Sequence, residues 1–311
     1  MPNAIEVRDV SRRFGDFVAV DRVGFAVDAG EIFGLIGHNG AGKSTLFKMM
    51  LGLLPVSSGE IALCGEAVTG PHFRAVRRQI GYLPENVVLY DNLTGLETLA
   101  FFARLKGVSD APYAELLDTV GLPAVGKRRV RDYSKGMRQR LGFAQALLGA
   151  PKLLLLDEPT TGLDPEGIHE FYAILERVRA GGATVILTSH ILAEIEQRVD
   201  RLALMSAGRL AALGTVAELS AAIALPVTVE LTLAVAERPA ALAALTEAGF
   251  DPASQPHGLS LAIDRADKPR LLAVLARLGE ALADVRFIEP TLEAVFLGHR
   301  RDVHAAARET R

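Results

Sequence analysis

Cysteine is nearly missing: the 311-residue chain has one, Cys64. A single thiol excludes an intrachain disulfide and any zinc or iron–sulfur centre built from several cysteines. No long run of one charge sign occurs, and 34 Lys+Arg against 37 Asp+Glu leave a formal net charge of −3. That balance excludes a generic polyanion binder, whose footprint is a basic face. No stretch reaches the roughly 18 uninterrupted apolar residues of a membrane span. The opening residues, Met1 to Asp9, carry charges where a signal peptide needs an apolar core. The positive mean hydropathy of +0.25 therefore comes from Ala and Leu spread over amphipathic segments. These absences lead us to expect a soluble, cytosolic protein, and its length suits about two domains, each able to bury a core.

The first two hundred residues alternate short β-branched runs with longer helical patterns. Ile5 to Val10 alternates apolar and polar as a half-buried strand does, and Phe17–Val20 and Val23–Val27 read as two further strands. Glu31 to Ile36 is a compact apolar run that stops at a glycine, followed from Lys43 by helical spacing. Later strands are Gln79–Leu83, Lys152–Leu156, Ala183–Leu187 and Leu202–Met205, with almost unbroken helix signal between Leu93 and Leu148. Strands parted by helices predict an α/β fold with a mostly parallel sheet and an inserted helical subdomain at about 90–150. A boundary is expected near Ser220, giving a first domain over 1–220. Beyond it, strand (Val227–Leu233), helix (Arg238–Gly249), strand (Gly258–Asp264), helix (Lys268–Leu278), strand (Val285–Ile288) and a short helix from Thr291 make a small α/β domain, 221–298. Residues 299–311 are charged, Ala-rich and unpatterned, and read as a flexible tail. No internal repeat is visible.

Gly37-His38-Asn39-Gly40-Ala41-Gly42-Lys43-Ser44 fits G-x-x-x-x-G-K-[ST] between a strand and a helix, the context that pattern requires. Glycines let the backbone curl so that successive N–H groups point at phosphate oxygens. The helix that follows adds the positive end of its dipole. Lys43 places a charge at the β/γ phosphates, and the Ser44 hydroxyl can ligate Mg²⁺. Leu153 to Leu156 is a buried-strand run ending in Asp157 and Glu158. On a strand, adjacent side chains face opposite sides, so the two carboxylates take different jobs. Asp157 is expected to hold Mg²⁺ and Glu158 to orient and deprotonate a water. His190, just past the strand Ala183–Leu187, sits where parallel sheets bind ligands and is assigned to the γ-phosphate.

At this point the chain resembles the ATP-binding subunits of ABC transporters, with the family's elements in order over residues 1 to about 220. Phe14 in Phe14-Gly15 matches the aromatic that stacks on adenine. Gly37 to Thr45 match the Walker A loop, and Leu153 to Glu158 the Walker B strand and catalytic glutamate. Thr161-Gly162-Leu163-Asp164 matches the D-loop, and His190 the switch histidine. Tyr133-Ser134-Lys135-Gly136-Met137-Arg138-Gln139-Arg140 occupies the signature position, where the family reads Leu-Ser-Gly-Gly-Gln and reaches a partner's γ-phosphate. Ser134 and Gly136 remain for that role; Lys135 and Met137 depart from it, and Lys135 would add a cation at a phosphate-facing loop. Glu85, in Ile80-Gly81-Tyr82-Leu83-Pro84-Glu85, stands where the family usually has Gln. A carboxylate can still ligate Mg²⁺ but accepts hydrogen bonds without donating any. The resemblance implies ATP and Mg²⁺ as ligands and ATP hydrolysis as the reaction. It also implies a homodimer with two shared sites, a separate integral membrane permease, and a place on the cytoplasmic face of the inner membrane.

Five stretches narrow the resemblance: Gly37 to Lys43, Gly81 to Val87, Tyr133 to Leu141, Phe102 to Gly107 and Gln145 to Gly149. Together they are similar to the NosF ATPases, which mature copper-containing nitrous oxide reductase with a NosY membrane subunit and a periplasmic NosD protein. The chain itself has no copper chemistry. Cu(I) prefers thiolate and thioether ligands, and one Cys and five Met without paired spacing supply none. Met49-Met50 reads as core filling. The cargo, if copper, belongs to the partners. A generic drug or lipid exporter would use the same sites. ABC proteins that act on DNA or ribosomes typically carry two ATPase units or a long coiled coil, and neither is seen. No Asn-Lys-x-Asp motif reads guanine. The C-terminal domain reads as a packing or dimerisation unit, and Lys127-Arg128-Arg129-Val130-Arg131 as a solvated loop.

Overall fold

A glycine turn starts the fold. Gly15, at φ 58°, lets β1 (Asn3–Phe14) reverse into β2 (Phe17–Asp28), and the two pair antiparallel along their length. The two strands expected within Phe17–Val27 are therefore one. Alternation breaks because Arg22 takes φ 49° and β2 carries an extra residue there, so Val10 faces Val23 while Arg12 faces Val20. A bulge of this kind bends a strand without ending it. The computed structural model describes residues 3–108, 111–222 and 226–288.

β3 (Ile32–Ile36) is buried at every position and leads through a glycine loop into α1 (Lys43–Met50). Leu46, Phe47, Met49 and Met50 of that helix all enter the core, beside Phe33 and Leu35. Met49 and Met50 are thus packing residues. β4 (Ser58–Leu63) and β5 (Glu66–Ala67) complete an antiparallel sheet of order β2-β1-β4-β5. Neither is legible in the sequence, since the first half of β4 is exposed and lacks apolar alternation.

After α2 (Phe73–Arg77) and β6 (Ile80–Leu83) comes the helical region: α3 (Gly95–Lys106), α4 (Tyr113–Thr119) and α5 (Lys135–Leu147). α3 begins with a reciprocal Thr94–Glu97 capping box and stops at Gly107, which takes φ 75°. The chain returns to the sheet as β7 (Leu153–Leu156), α6 (Pro165–Ala180), β8 (Thr184–Ser189), α7 (Leu192–Ile195), β9 (Arg201–Ser206) and β10 (Arg209–Gly214). The order is β10-β9-β3-β8-β7-β6, parallel from β9 to β6, with β10 an antiparallel edge. β3, β7 and β8 are neighbours, so the loops at their carboxyl ends meet, which is where such sheets bind ligands.

The chain divides into two compact units after Val216, at the start of α8 (Val216–Ala222). The second unit runs β11 (Val227–Leu233), α9 (Arg238–Glu247), β12 (Ala253–Gln255), β13 (Gly258–Ile263), α10 (Lys268–Leu278) and β14 (Leu282–Ile288). Its antiparallel sheet has the order β12-β13-β11-β14, a ferredoxin-like βαββαβ arrangement. It owns a core, with Val229, Leu231, Leu261, Leu245, Leu271 and Leu275 among its buried residues. The helix expected from Thr291 and the tail 299–311 lie outside the described residues.

Candidate nucleotide site

The loop after β3 is shaped by two glycines that tolerate no side chain. A Cβ at Gly37 would sit 2.6 Å from the Met205 carbonyl oxygen, and one at Gly42 would sit 2.6 Å from that of Ala19. Gly40 and Gly42 take φ 84° and 103°, which L side chains rarely adopt. Gly42 is the N-cap of α1 and no side chain caps that helix, so its first-turn N–H groups face the loop. Unpaired amides at a helix start form an anion site.

Lys43 is buried, and its ammonium donates to the Gly37 carbonyl. It also lies 3.3 Å from Glu158 Oε1. His190 approaches the other oxygen of the same carboxylate, with Nδ1 2.7 Å from Glu158 Oε2. Lys43, Glu158 and His190, from three separate elements, therefore form one cluster. The Ser44 hydroxyl lies 3.4 Å from Asp157 Oδ1.

The two carboxylates do part ways, though not by strand alternation. β7 ends at Leu156, and Glu158 takes φ 48° in the turn beyond it. A left-handed turn, rather than the pleat, sends Asp157 toward Ser44 and Glu158 toward Lys43. One residue at this junction is invisible to motif reading. Thr188, fully buried on β8, donates its hydroxyl to Asp157 Oδ1 at 2.7 Å and accepts the Glu158 N–H at 2.8 Å. Its only signal in the sequence is a hydroxyl directly after the aliphatic run Val185–Leu187, two residues before His190.

Around the loop lies an open cleft of ≈ 310 Å³ lined by Phe17, Ala19, residues 38–45, Glu85 and Glu158. His38, Asn39, Gly40, Ala41, Gly42, Lys43, Ser44, Thr45 and Glu85 are thus brought together as expected. Phe14 is not among the lining residues. It is half exposed with the Arg12 guanidinium 4.6 Å from its ring centroid, and Phe17, its partner across the hairpin turn, faces the cleft instead. Beside the cleft, burial with the charges of Asp157 and Glu85 pushes the Tyr82 phenol up to about 12.

Ser134, Gly136 and Asp164 do not line the cleft. Ser134 caps α5, accepting the Met137 N–H at 3.2 Å, and Asp164 caps α6, accepting the Gly167 N–H at 3.0 Å. The signature and D-loop segments pack on each other: a Cβ at Gly162 would meet Lys135 Cε at 3.0 Å and Cδ at 3.1 Å. The Lys135 stem therefore lies over Gly162 of its own chain. Gln139 ties α5 to the end of the Asp157–Glu158 turn, donating to the Pro159 carbonyl at 3.0 Å.

Among the described residues no group of three His, Cys, Asp or Glu side chains could hold a metal ion. Mg²⁺ is usually bound through one or two carboxylates, waters and substrate phosphates rather than an all-protein cage. Ser44 and Asp157, with Glu85 in the same cleft, are the donors that would hold it.

A sequence profile of the ABC transporter family matches residues 20–161. Across 96% of both chains, the protein is 35% identical to an uncharacterised ABC transporter ATP-binding protein, YhcH, of Bacillus subtilis. The chain belongs to the ATP-binding subunits of ABC transporters. It is 32% identical to the linearmycin resistance ATP-binding protein LnrL of Bacillus subtilis, over 94% of this chain and 97% of that one. A solved ATP-binding subunit of an ABC transporter superposes with a TM-score of 0.65 at 37% identity, covering 70% of this chain and 92% of the other. As a member of this family the chain is an ATPase, and ABC ATP-binding subunits work in pairs with membrane permeases. No helix among the described residues is long and apolar enough to cross a membrane.

Proposed function

We propose that two copies of this chain clamp two ATP molecules between them, hydrolyse them, and use the opening and closing to drive a separate membrane permease. The observation that supports the shared site most is the placement of Ser134, Gly136 and Asp164 away from the cleft of their own chain. A second copy would supply them. Phosphates would lie on the amides of residues 37–45 with Lys43 at the β/γ oxygens. Mg²⁺, when bound at Ser44 and Asp157 with Glu85 near, supplies positive charge against the phosphate oxygens. Water attacks the γ-phosphorus, the β–γ bridging P–O bond breaks, and Glu158 takes the proton, leaving ADP and phosphate. His190, on the second oxygen of Glu158, holds the carboxylate toward that water. Pairing and release form a two-state element whose balance the nucleotide sets.

This reading places the chain on the cytoplasmic face of the inner membrane, against the permease. For the cargo, export of a small molecule is supported by a relative aligned over nearly its full length and named for linearmycin resistance. A Nod factor export ATP-binding protein of Cupriavidus metallidurans is 40% identical over 70% of this chain and 73% of its own. The five stretches similar to NosF support a second reading, service to a NosY-like permease and a NosD-like periplasmic protein in loading copper into nitrous oxide reductase. In either case this chain supplies work and the partners supply selectivity.

Glu158→Gln tests the core of the proposal. Hydrolysis should fall by about 100-fold or more, and ATP should convert the variant from monomer to dimer in light scattering. A variant that stays monomeric with ATP would overturn the shared site. The same substitution in the native host separates the cargoes. Nitrous oxide accumulation with a copper-poor reductase supports maturation. A fully loaded reductase with new sensitivity to an exported compound supports export.

A further inference from the structure

Two carboxylates one residue apart cannot serve a cation and a water unless something keeps them apart. Asp157 and Glu158 lie beyond the end of β7, where no pleat fixes their directions. Glu158 instead adopts φ 48°, a conformation that costs a branched or long side chain energy and persists only where its surroundings impose it. Among the described residues, Thr188 is the side chain that hydrogen-bonds to both. Its hydroxyl bridges two partners: the proton goes to Asp157 Oδ1 at 2.7 Å, and a lone pair takes the Glu158 N–H at 2.8 Å. Both bonds are buried, and Thr188 is fully inaccessible. β8 is held in register by β3 on one side and β7 on the other, so the hydroxyl is a fixed point against which the turn is set.

We infer that Thr188 is a positioning residue of the ATPase cycle, the buried hydroxyl that divides the labour of the two carboxylates. Its two bonds have distinct consequences. The bond to Oδ1 orients the carboxylate that faces Ser44, 3.4 Å away, and so tunes the cation site. The bond from the Glu158 amide pins the left-handed turn that carries Glu158 to Lys43 and His190. A single group thus couples the cation ligand to the base, and neither can turn without disturbing the other. The direction of the hydroxyl proton follows from the partners: an amide N–H can only donate, so the threonine must donate to the carboxylate. The inference rests on Asp157 serving Mg²⁺ and Glu158 serving water.

Thr188→Val keeps the shape and removes both bonds. We expect kcat for ATP to fall by about 10- to 100-fold, the scale of a misplaced catalytic group. The Mg²⁺ concentration giving half-maximal rate should rise several-fold, while ATP binding without metal stays within twofold. Thr188→Ser, which keeps the hydroxyl, should recover the rate to within about threefold. A readout independent of turnover is Mn²⁺ affinity in the presence of ADP, measured by electron paramagnetic resonance, which should weaken in Val and recover in Ser. A Val variant with normal kcat and normal Mn²⁺ affinity would overturn the inference, as would a Ser variant as impaired as Val. If Val does not fold, Ser against Ala decides by the same criteria, because both leave a similar space and only Ser keeps the bonds. Glu158→Gln and Asp157→Asn run alongside. If Glu158→Gln keeps full activity and Asp157→Asn keeps full metal affinity, the assignment of the carboxylates fails. If the first loses activity and the second loses metal affinity while Val loses neither, only the role of Thr188 fails.

Discussion

Tyrosine hydroxyls show how burial acts at single residues in this protein. Burial, with Asp157 and Glu85 near, pushes Tyr82 up to about 12, and burial first, then the Glu194 charge, raises Tyr172 as well. Between about pH 10 and 12 the folded state keeps protons that the unfolded chain releases, so stability falls as pH rises through that window. Ultraviolet titration of tyrosinate should show only part of the tyrosines ionising near pH 10, and urea melts should weaken as pH rises from about 10 to 12. Tyr172 has a second consequence: its hydroxyl is buried without a hydrogen-bond partner. Tyr172→Phe removes that unsatisfied group and should raise stability by about 1 kcal/mol, measured by denaturant midpoint. The site residues divide at this scale too. Lys43, Glu158 and His190 are legible because motif spacing places them at the start of α1 and just beyond the ends of β7 and β8. Phe14 and Phe17 are not separable that way, since a hairpin turn decides which ring faces the cleft.

At the level of elements, the phosphate loop owes its form to contacts between segments distant in sequence. Gly42 needs a positive φ and also the space in front of the Ala19 carbonyl, whereas a Cβ at Gly40, with φ 84°, meets nothing within 4 Å. Gly40→Ala should therefore cost about 1–2 kcal/mol of backbone strain. Gly42→Ala adds a backbone clash and should cost about 3 kcal/mol or more and abolish ATP binding, measured by urea melts and nucleotide titration. Helix ends follow simpler rules. Asp164→Ala should cost about 1 kcal/mol through loss of the α6 cap. Element prediction succeeded where periodicity was strong: β11 and α10 run over the residues that alternation and helical spacing indicate. It failed at β4, β5 and β12, which are short or exposed and are held by pairing with a neighbour.

For the whole molecule, the division after Val216 leaves every candidate site residue in the first unit. That unit has its own buried core, from Ile5 through Met205, and the second unit has another. A chain ending after residue 222 should therefore unfold cooperatively and hydrolyse ATP within about threefold of the full protein, by calorimetry and phosphate release. Loss of hydrolysis in that fragment would assign the second unit a part in forming the site.

The sequence by itself determined the nucleotide chemistry, because a glycine loop, a lysine and a strand-end pair of carboxylates at fixed spacing are local facts with one physical use. It also determined the alternating order of strands and helices, which follows from apolar period. Only the tertiary structure decided how Asp157 and Glu158 separate, which aromatic faces the cleft, and that Ser134 and Asp164 lie away from it. The first depends on Thr188, on β8 and 30 residues along the chain. The second depends on how a hairpin turn orients two nearby rings, and the third on how α5 and α6 pack. Periodicity carries no information about any of them.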